Sequence, residues 1–166
     1  MAHYDVLTKL PNRTLFADRF TQAIARSKRN KTLLAVGFLD LDGFKPVNDT
    51  YGHDTGDKIL IEVAARITAT IRENDTISRH GGDEFSLLLS DLTSLNQCEQ
   101  AMKRLHQEIS KPYLISDHTI VIGASSGFTI YPLDSGEPET LLRHADQAMY
   151  QAKQAGKNCY RLFGCS

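Results

Sequence analysis

The sequence predicts an α/β or α+β domain in which helices pack against a single sheet. Three observations point there. Leu33 to Leu39 is a continuous apolar run, as a strand buried on both faces requires. Apolar stripes at helical spacing flank it. Two strand-like segments, Thr76 to His80 and Glu84 to Leu89, surround a Gly-Gly turn and form a hairpin. Helix and hairpin signals mixed with buried strands are met by layers around one core. The 166 residues fit one domain, 1–166, and 41% apolar content can fill its core. The chain shows neither internal repeat nor linker.

The elements follow in order. Pro11 suits a helix start, after which Phe16, Phe20 and Ile24 recur at i, i+4, i+8. Arg26, Lys28, Arg29 and Lys31 then favour the helix dipole at its C-terminus. The apolar strand ends at Asp40, and Gly43, Pro46, Asn48 and Gly52 mark a loop. From Gly56 a helix is expected, with Ile59, Val63, Ile67 and Ile71 in one stripe that Leu60 and Ala64 widen. After the hairpin, Ser94-Leu-Asn-Gln97 resembles a capping box ahead of Cys98, Ala101, Met102, Leu105 and Ile109, and Pro112 stops that helix. Tyr113 to Ile115 and Thr119 to Tyr131 carry strand signal. The last helix opens near Pro138, aligns Leu141, Ala145, Ala148 and Ala152, and stops at Gly156 before a short strand, Tyr160 to Phe163.

Charge and cysteine content narrow the function. Lys plus Arg total 19 against 20 Asp plus Glu, a formal net charge of −1. That balance argues against nucleic-acid binding or adhesion to an anionic membrane, so recognition must be local. Cys98, Cys159 and Cys165 form an odd set without a C-x-x-C pair, which fits a reduced, cytoplasmic compartment better than disulfides or zinc. No stretch approaches 18 apolar residues and no basic-then-apolar leader opens the sequence. The expectation is a segment without membrane contact.

Candidate chemistry gathers at strand ends. Asp40-Leu41-Asp42 would present both carboxylates on one side if the strand continued that far, and hard oxygens there suit Mg²⁺. A calcium loop is excluded, because its glycine at position six would be Lys45 and its glutamate at position twelve Tyr51. A capping or turn carboxylate is the plain alternative for Asp40. The second cluster is Gly81-Gly82-Asp83-Glu84-Phe85, where glycines permit close backbone approach and the acids can face a metal bridging phosphates. The alternative is an ordinary turn with solvated acids, but chance supplies this pentamer with odds on the order of one in ten thousand.

With these landmarks in place, the chain resembles the GGDEF domain, the diguanylate cyclase family. The resemblance covers nearly the whole chain: Asp5-Val-Leu-Thr-Lys-Leu-Pro-Asn-Arg13, Asp40-Leu-Asp-Gly-Phe-Lys-Pro-Val-Asn-Asp49, Gly52-His-Asp-Thr-Gly-Asp57, Arg79-His-Gly-Gly-Asp-Glu-Phe85, Ser126-Gly-Phe-Thr-Ile-Tyr-Pro132, and Ala145 to Asn158. It implies a central, mostly antiparallel sheet flanked by helices, ferredoxin-like and related to the adenylate cyclase catalytic fold. It implies condensation of two GTP into cyclic di-GMP with release of two pyrophosphates, across two domains facing each other antiparallel in a homodimer.

The resemblance also implies roles. Asp40, the backbone carbonyl of Leu41, Asp83 and Glu84 match the metal site, with two Mg²⁺ (or Mn²⁺) ions per GTP, and Asp83 and Glu84 stand as catalytic residues. Lys45, Lys153 and Lys157 match phosphate-contacting positions, although position 157 departs from the commoner arginine and so loses the bidentate fork. Solvated surface lysine is the alternative for each. Gly81 and Gly82 let the backbone approach substrate, and Phe44 shapes the loop. Asn48 and Asp57 match the guanine-recognising pair; a carboxylate can accept from N1–H and the N2 amine, which adenine does not offer. Helix capping by Asp57 and a turn role for Asn48 are the plain readings. Five residues separate Arg72-Glu-Asn-Asp75 from Gly81, the family's spacing for an inhibitory product site, where a surface ion pair is the alternative.

Three functions stay open on sequence: an active cyclase, a silent GTP-binding regulatory module, and a cyclic di-GMP receptor acting through Arg72 and Asp75. Intact acids favour the first. The expected setting is an excised domain of a larger signalling protein, and the Asn158 to Phe163 run leaves open whether a phosphodiesterase domain follows.

Overall fold

A computed structural model describes residues 2–164, so Cys165 lies outside the described residues. The elements in chain order are α1 (Arg13–Asn30), β1 (Leu33–Asp42), α2 (Phe44–Tyr51), α3 (His53–Thr70), β2 (Thr76–Gly81), β3 (Glu84–Leu92), α4 (Leu95–Ser110), β4 (Tyr113–Ile115), β5 (His118–Ile120), β6 (Gly123–Tyr131), α5 (Pro138–Gln154) and β7 (Tyr160–Leu162). The main sheet has the order β2-β3-β1-β6-β7; every pairing is antiparallel except β6 with β7. β1-α3-β2 and β3-α4-β6 are two split β-α-β units, the ferredoxin-like order. β4 and β5 make a separate two-stranded hairpin.

Apolar residues on both faces of the sheet produce two cores. On one side Ile59, Val63 and Ile67 of α3 and Cys98, Met102, Leu105 and Ile109 of α4 bury Ala35, Leu39, Leu87 and Leu89. On the other, Phe16 and Phe20 of α1 and Leu141 of α5 cover Leu34, Val36 and Leu88. Because β1 is central and buried on both faces, its polar end is the one place where it can present carboxylates. α5 reaches β6 through small residues: a Cβ on Gly127 would lie 2.1 Å from the Met149 nitrogen and 2.2 Å from the Ala145 oxygen. Backbone therefore rests on backbone there.

Several boundaries differ from the sequence reading. Asn12 caps α1 by accepting from the Leu15 N–H at 3.1 Å, which leaves Pro11 outside the helix in a bridge with Tyr4. The loop expected from Gly43 to Gly52 is the helix α2. Pro46 is its third residue, where the missing N–H has no intrahelical partner, and Phe44 and Val47 bury its inner side. α3 starts at His53 rather than Gly56, because Gly52 at φ 93° ends α2 and caps α3 at once. The strand expected over Thr119 to Tyr131 is interrupted between Ile120 and Gly123. Ser94 caps α4 as expected, accepting from Gln97 N–H at 3.2 Å.

Candidate active site

β1 extends to Asp42, so alternation places Asp40 and Asp42 on the α5 face of the sheet. Asp40 pairs in register with Glu84, the first residue of β3, and the Leu41 N–H donates to the Asp83 carbonyl at 3.3 Å. The end of β1 and the β2–β3 turn are thereby clamped together. In that turn Gly81 and Gly82 hold φ of 130° and 50°, backbone that side-chain-bearing residues rarely adopt. Arg79 braces it from below: its Nε donates to the Gly82 carbonyl at 2.9 Å, while Nη1 meets both Asp5 oxygens at 3.0 and 3.1 Å. Asp5 also accepts from the Thr8 N–H and hydroxyl at 2.8 and 2.7 Å. Burial opposes its charge, but these bonds and Arg79 hold its carboxyl below the usual range.

Two carboxylates converge at this junction. Burial and the neighbouring Asp40 and Glu84 carboxylates push the Asp83 carboxyl up to about 6. Asp40 Oδ1 is buried with no hydrogen-bond partner, while Oδ2 takes an ion pair from Lys153 of α5. Burial works against the Lys153 ammonium, but Asp40, with Asp83 and Asp42 behind it, outweighs that and raises its pKa. An orphaned carboxylate oxygen beside a second carboxylate is an all-oxygen donor set that suits a hard divalent cation. Among the described residues no three His, Cys, Asp or Glu side chains gather to hold a metal by themselves. Glu84 stays exposed at the mouth of an adjoining cleft with Lys153, Asp146 and Gln151, so the converging pair is Asp40 with Asp83.

The other expected residues are distributed around this centre. Phe44 is buried, its ring against α3, where it docks α2. Asn48 lies over the first turn of α3: a Cβ on Gly56 would stand 1.8 Å from Asn48 Oδ1. That oxygen is buried and has no hydrogen-bond partner. Asp57 is exposed on α3, five residues past the Gly52 cap, and caps nothing. Lys45 and Lys157 are exposed, and Lys157 sits at φ 67° in the connection from α5 to β7.

Arg72 and Asp75 are joined but not equivalent. The Asp75 side chain is 4% exposed and accepts the backbone N–H groups of Arg72 at 2.9 Å and Ser90 at 2.8 Å; it holds the turn before β2. The Arg72 guanidinium, 55% exposed, also donates to the Ser90 carbonyl. Both line a cleft of about 240 Å³ whose opposite wall, from α4, carries Gln97, Gln100 and Arg104. The sequence does not single out Arg104, one more charge on a helix, and assigns no role to Arg79 or Asp5, which lie in motifs that carry the resemblance.

A ferredoxin-like sheet whose central strand and first hairpin turn join two carboxylates beside a helix lysine defines the class of domain. The chain belongs to the family described as "Diguanylate cyclase, GGDEF domain", whose profile matches residues 2–159. It is 50% identical over 166 residues to the bifunctional diguanylate cyclase/cyclic di-GMP phosphodiesterase MucR of Pseudomonas aeruginosa, covering 100% of this chain and 24% of that protein. It is 38% identical over 162 residues to the diguanylate cyclase TpbB of the same species, 97% of this chain and 37% of that protein. The chain thus spans between about a quarter and two-fifths of these two relatives. A solved structure of TpbB comprising only the GGDEF domain superposes with a TM-score of 0.93 at 38% identity, covering 97% of this chain and 94% of that one. The GGDEF domain of DgcB from Caulobacter crescentus, solved in complex with c-di-GMP, gives 0.90 at 28% identity, covering 99% and 98%.

Proposed function

We propose that this domain is a diguanylate cyclase, condensing two GTP into cyclic di-GMP and two pyrophosphates. The carrying observation is the proximity of Asp40 and Asp83 beside the Gly81–Gly82 turn, with Lys153 paired to Asp40. In each half-reaction a ribose 3′-oxygen bonds to the partner GTP's α-phosphorus, the α–β phosphoanhydride breaks, pyrophosphate leaves, and the hydroxyl proton passes to a base. A divalent cation on Asp40, Asp83 and the Leu41 carbonyl, with Glu84 beside it, would supply charge neutralisation and polarise the α-phosphate. Mg²⁺ or Mn²⁺, two per GTP, fits the all-oxygen donors. Lys45, Lys153 and Lys157 would neutralise the triphosphate, and the flexible glycine backbone would let it approach. Asn48 and Asp57 would read guanine: a donor edge satisfies the orphaned Asn48 oxygen and the exposed Asp57 carboxylate, and adenine lacks it.

One domain carries one such site, so turnover requires two domains antiparallel in a homodimer, and proximity is the controlled variable. The cleft between Arg72 and Arg104 supports product feedback, because two guanidinium groups can clamp phosphates there while Asp75 fixes the turn. The domain would work in the cytoplasm as part of a longer signalling protein, with neither nucleic acid nor membrane contacted by this segment. No helix among the described residues is long and apolar enough to cross a membrane.

The test is kinetic. Initial rate per domain should rise with protein concentration, and each cyclic di-GMP should appear with two pyrophosphates. A rate per domain independent of dilution would sink the two-domain mechanism, and GTP binding without product, even in a forcibly dimerised chain, would leave the regulatory module.

A further inference from the structure

Asp42 shares a strand face with Asp40, yet its carboxylate is committed elsewhere. Its Oδ2 accepts the backbone N–H of Asn158 at 2.7 Å, and the Ser125 hydroxyl of β6 lies 2.8 Å from Oδ1 and 3.1 Å from Oδ2. Asn158 closes the connection between α5 and β7. That connection runs Gly156, Lys157, Asn158 with φ of 114°, 67° and 48°, three consecutive left-handed residues. Lys and Asn in this region cost about 1 kcal/mol each, so the run persists only where its surroundings hold it. The Lys157 N–H donates to the Ala152 carbonyl at 3.1 Å, which ties the run to α5. The Asn158 side chain lies against Gly123, whose added Cβ would stand 2.6 Å from its Oδ1, and it accepts from the Ser110 hydroxyl at 3.3 Å. Asp42 is the member of β1 that grips the run.

We propose that Asp42 is a positioning residue, anchoring the left-handed Gly156–Asn158 turn to the end of β1 so that Lys157 is held there, four residues past the Lys153 that pairs with Asp40. The assignment rests on the reading of those lysines as phosphate-contacting residues. It separates the two acids of Asp40-Leu41-Asp42: Asp40 keeps a free buried oxygen, whereas both Asp42 oxygens are engaged by protein donors. Asp42 is on this account an anchor and not a metal ligand.

Asp42→Asn keeps the shape and one acceptor oxygen but loses the second, and the test has one arm without turnover and one with it. In the GTP-free protein, amide hydrogen exchange over 156–158 should quicken about tenfold, as expected for loss of a charge-assisted hydrogen bond. Unchanged exchange overturns the anchor whether or not the domain turns GTP over. In steady state the apparent KM for GTP should rise about tenfold, with kcat within about threefold and the Mg²⁺ midpoint within about twofold of wild type. A collapsed kcat with a shifted Mg²⁺ midpoint makes Asp42 a ligand and overturns the proposal. Lys157→Ala should add little in the Asp42→Asn background, and full additivity overturns the coupling. If Asp42→Asn does not fold, Ser125→Ala, which loosens the same carboxylate, should quicken exchange over 156–158 about threefold; no change there also overturns it. A wild type that yields no cyclic di-GMP fails the functional reading, while the exchange arm still decides the anchor.

Discussion

Asn48 and Gly56 make a contact that only a residue without a side chain permits, since an added Cβ would fall 1.8 Å from the amide oxygen. That contact sets where Asn48 points and keeps its buried oxygen free of protein donors. Gly56→Ala should therefore push Asn48 aside, raising the KM for GTP roughly tenfold while α3, which favours alanine over glycine, stays folded. Circular dichroism and steady-state kinetics on the same sample separate the two effects. Asp57→Ala should erode the preference for GTP over ATP by roughly tenfold to a hundredfold, measured as a ratio of kcat/KM values. Retained selectivity would move guanine recognition to other residues. Asp40, Asp83 and the glycine pair stand out in the sequence because carboxylates are hard oxygen donors and glycines permit the positive φ of the turn. Arg79 was not, because its role depends on Asp5, 74 positions away in the chain.

Helix placement decides whether Lys153 reaches Asp40. α5 is seated by Gly127 under Ala145, Ala148 and Met149, and the same helix carries Lys153 to Asp40. Gly127→Val would drive two methyl groups into helix backbone. It should destabilise the fold by roughly 3 kcal/mol or more and cut turnover beyond what the folded fraction explains, which thermal unfolding beside activity at low temperature would reveal. The strands, the capped helix α4 and the amphipathic face of α3 were legible because period and caps are local signals. α2 was not: Gly43, Pro46, Asn48 and Gly52 are loop residues by composition, and the burial of Phe44 and Val47 against α3 overrides that preference. The split between β5 and β6 was likewise set by partners, since β5 pairs with β4 while β6 enters the main sheet.

For the molecule as a whole, two histidines tie stability to pH. Burial is the main cause that pushes His80 and His106 down to about 4; Arg13 adds to the shift at His80 and Asp42 opposes it at His106. His80 packs edge-on to Phe16 and Phe38 and bonds to the Ser86 hydroxyl, and His106 bonds to the Ser126 hydroxyl at 2.6 Å. A folded pKa below the unfolded value of 6.5 means that the unfolded chain takes up protons first as pH falls. Stability should hold above about 6.5, decline between there and about 4, and level off below, with roughly 1–3 kcal/mol lost per histidine. Unfolding by denaturant across that range checks the slope, and His80→Gln should remove about half of it; an unchanged slope would place the titration elsewhere.

Asp40 and Asp83, joined at one sheet end, are the proposed centre of cyclase chemistry. The most direct measurement is mass spectrometry of the products formed from GTP and Mg²⁺ at high protein concentration, wild type beside Asp83→Ala. Cyclic di-GMP is expected from the wild type, with at least about a thousandfold less from a folded Asp83→Ala protein. Comparable product from both would contradict it.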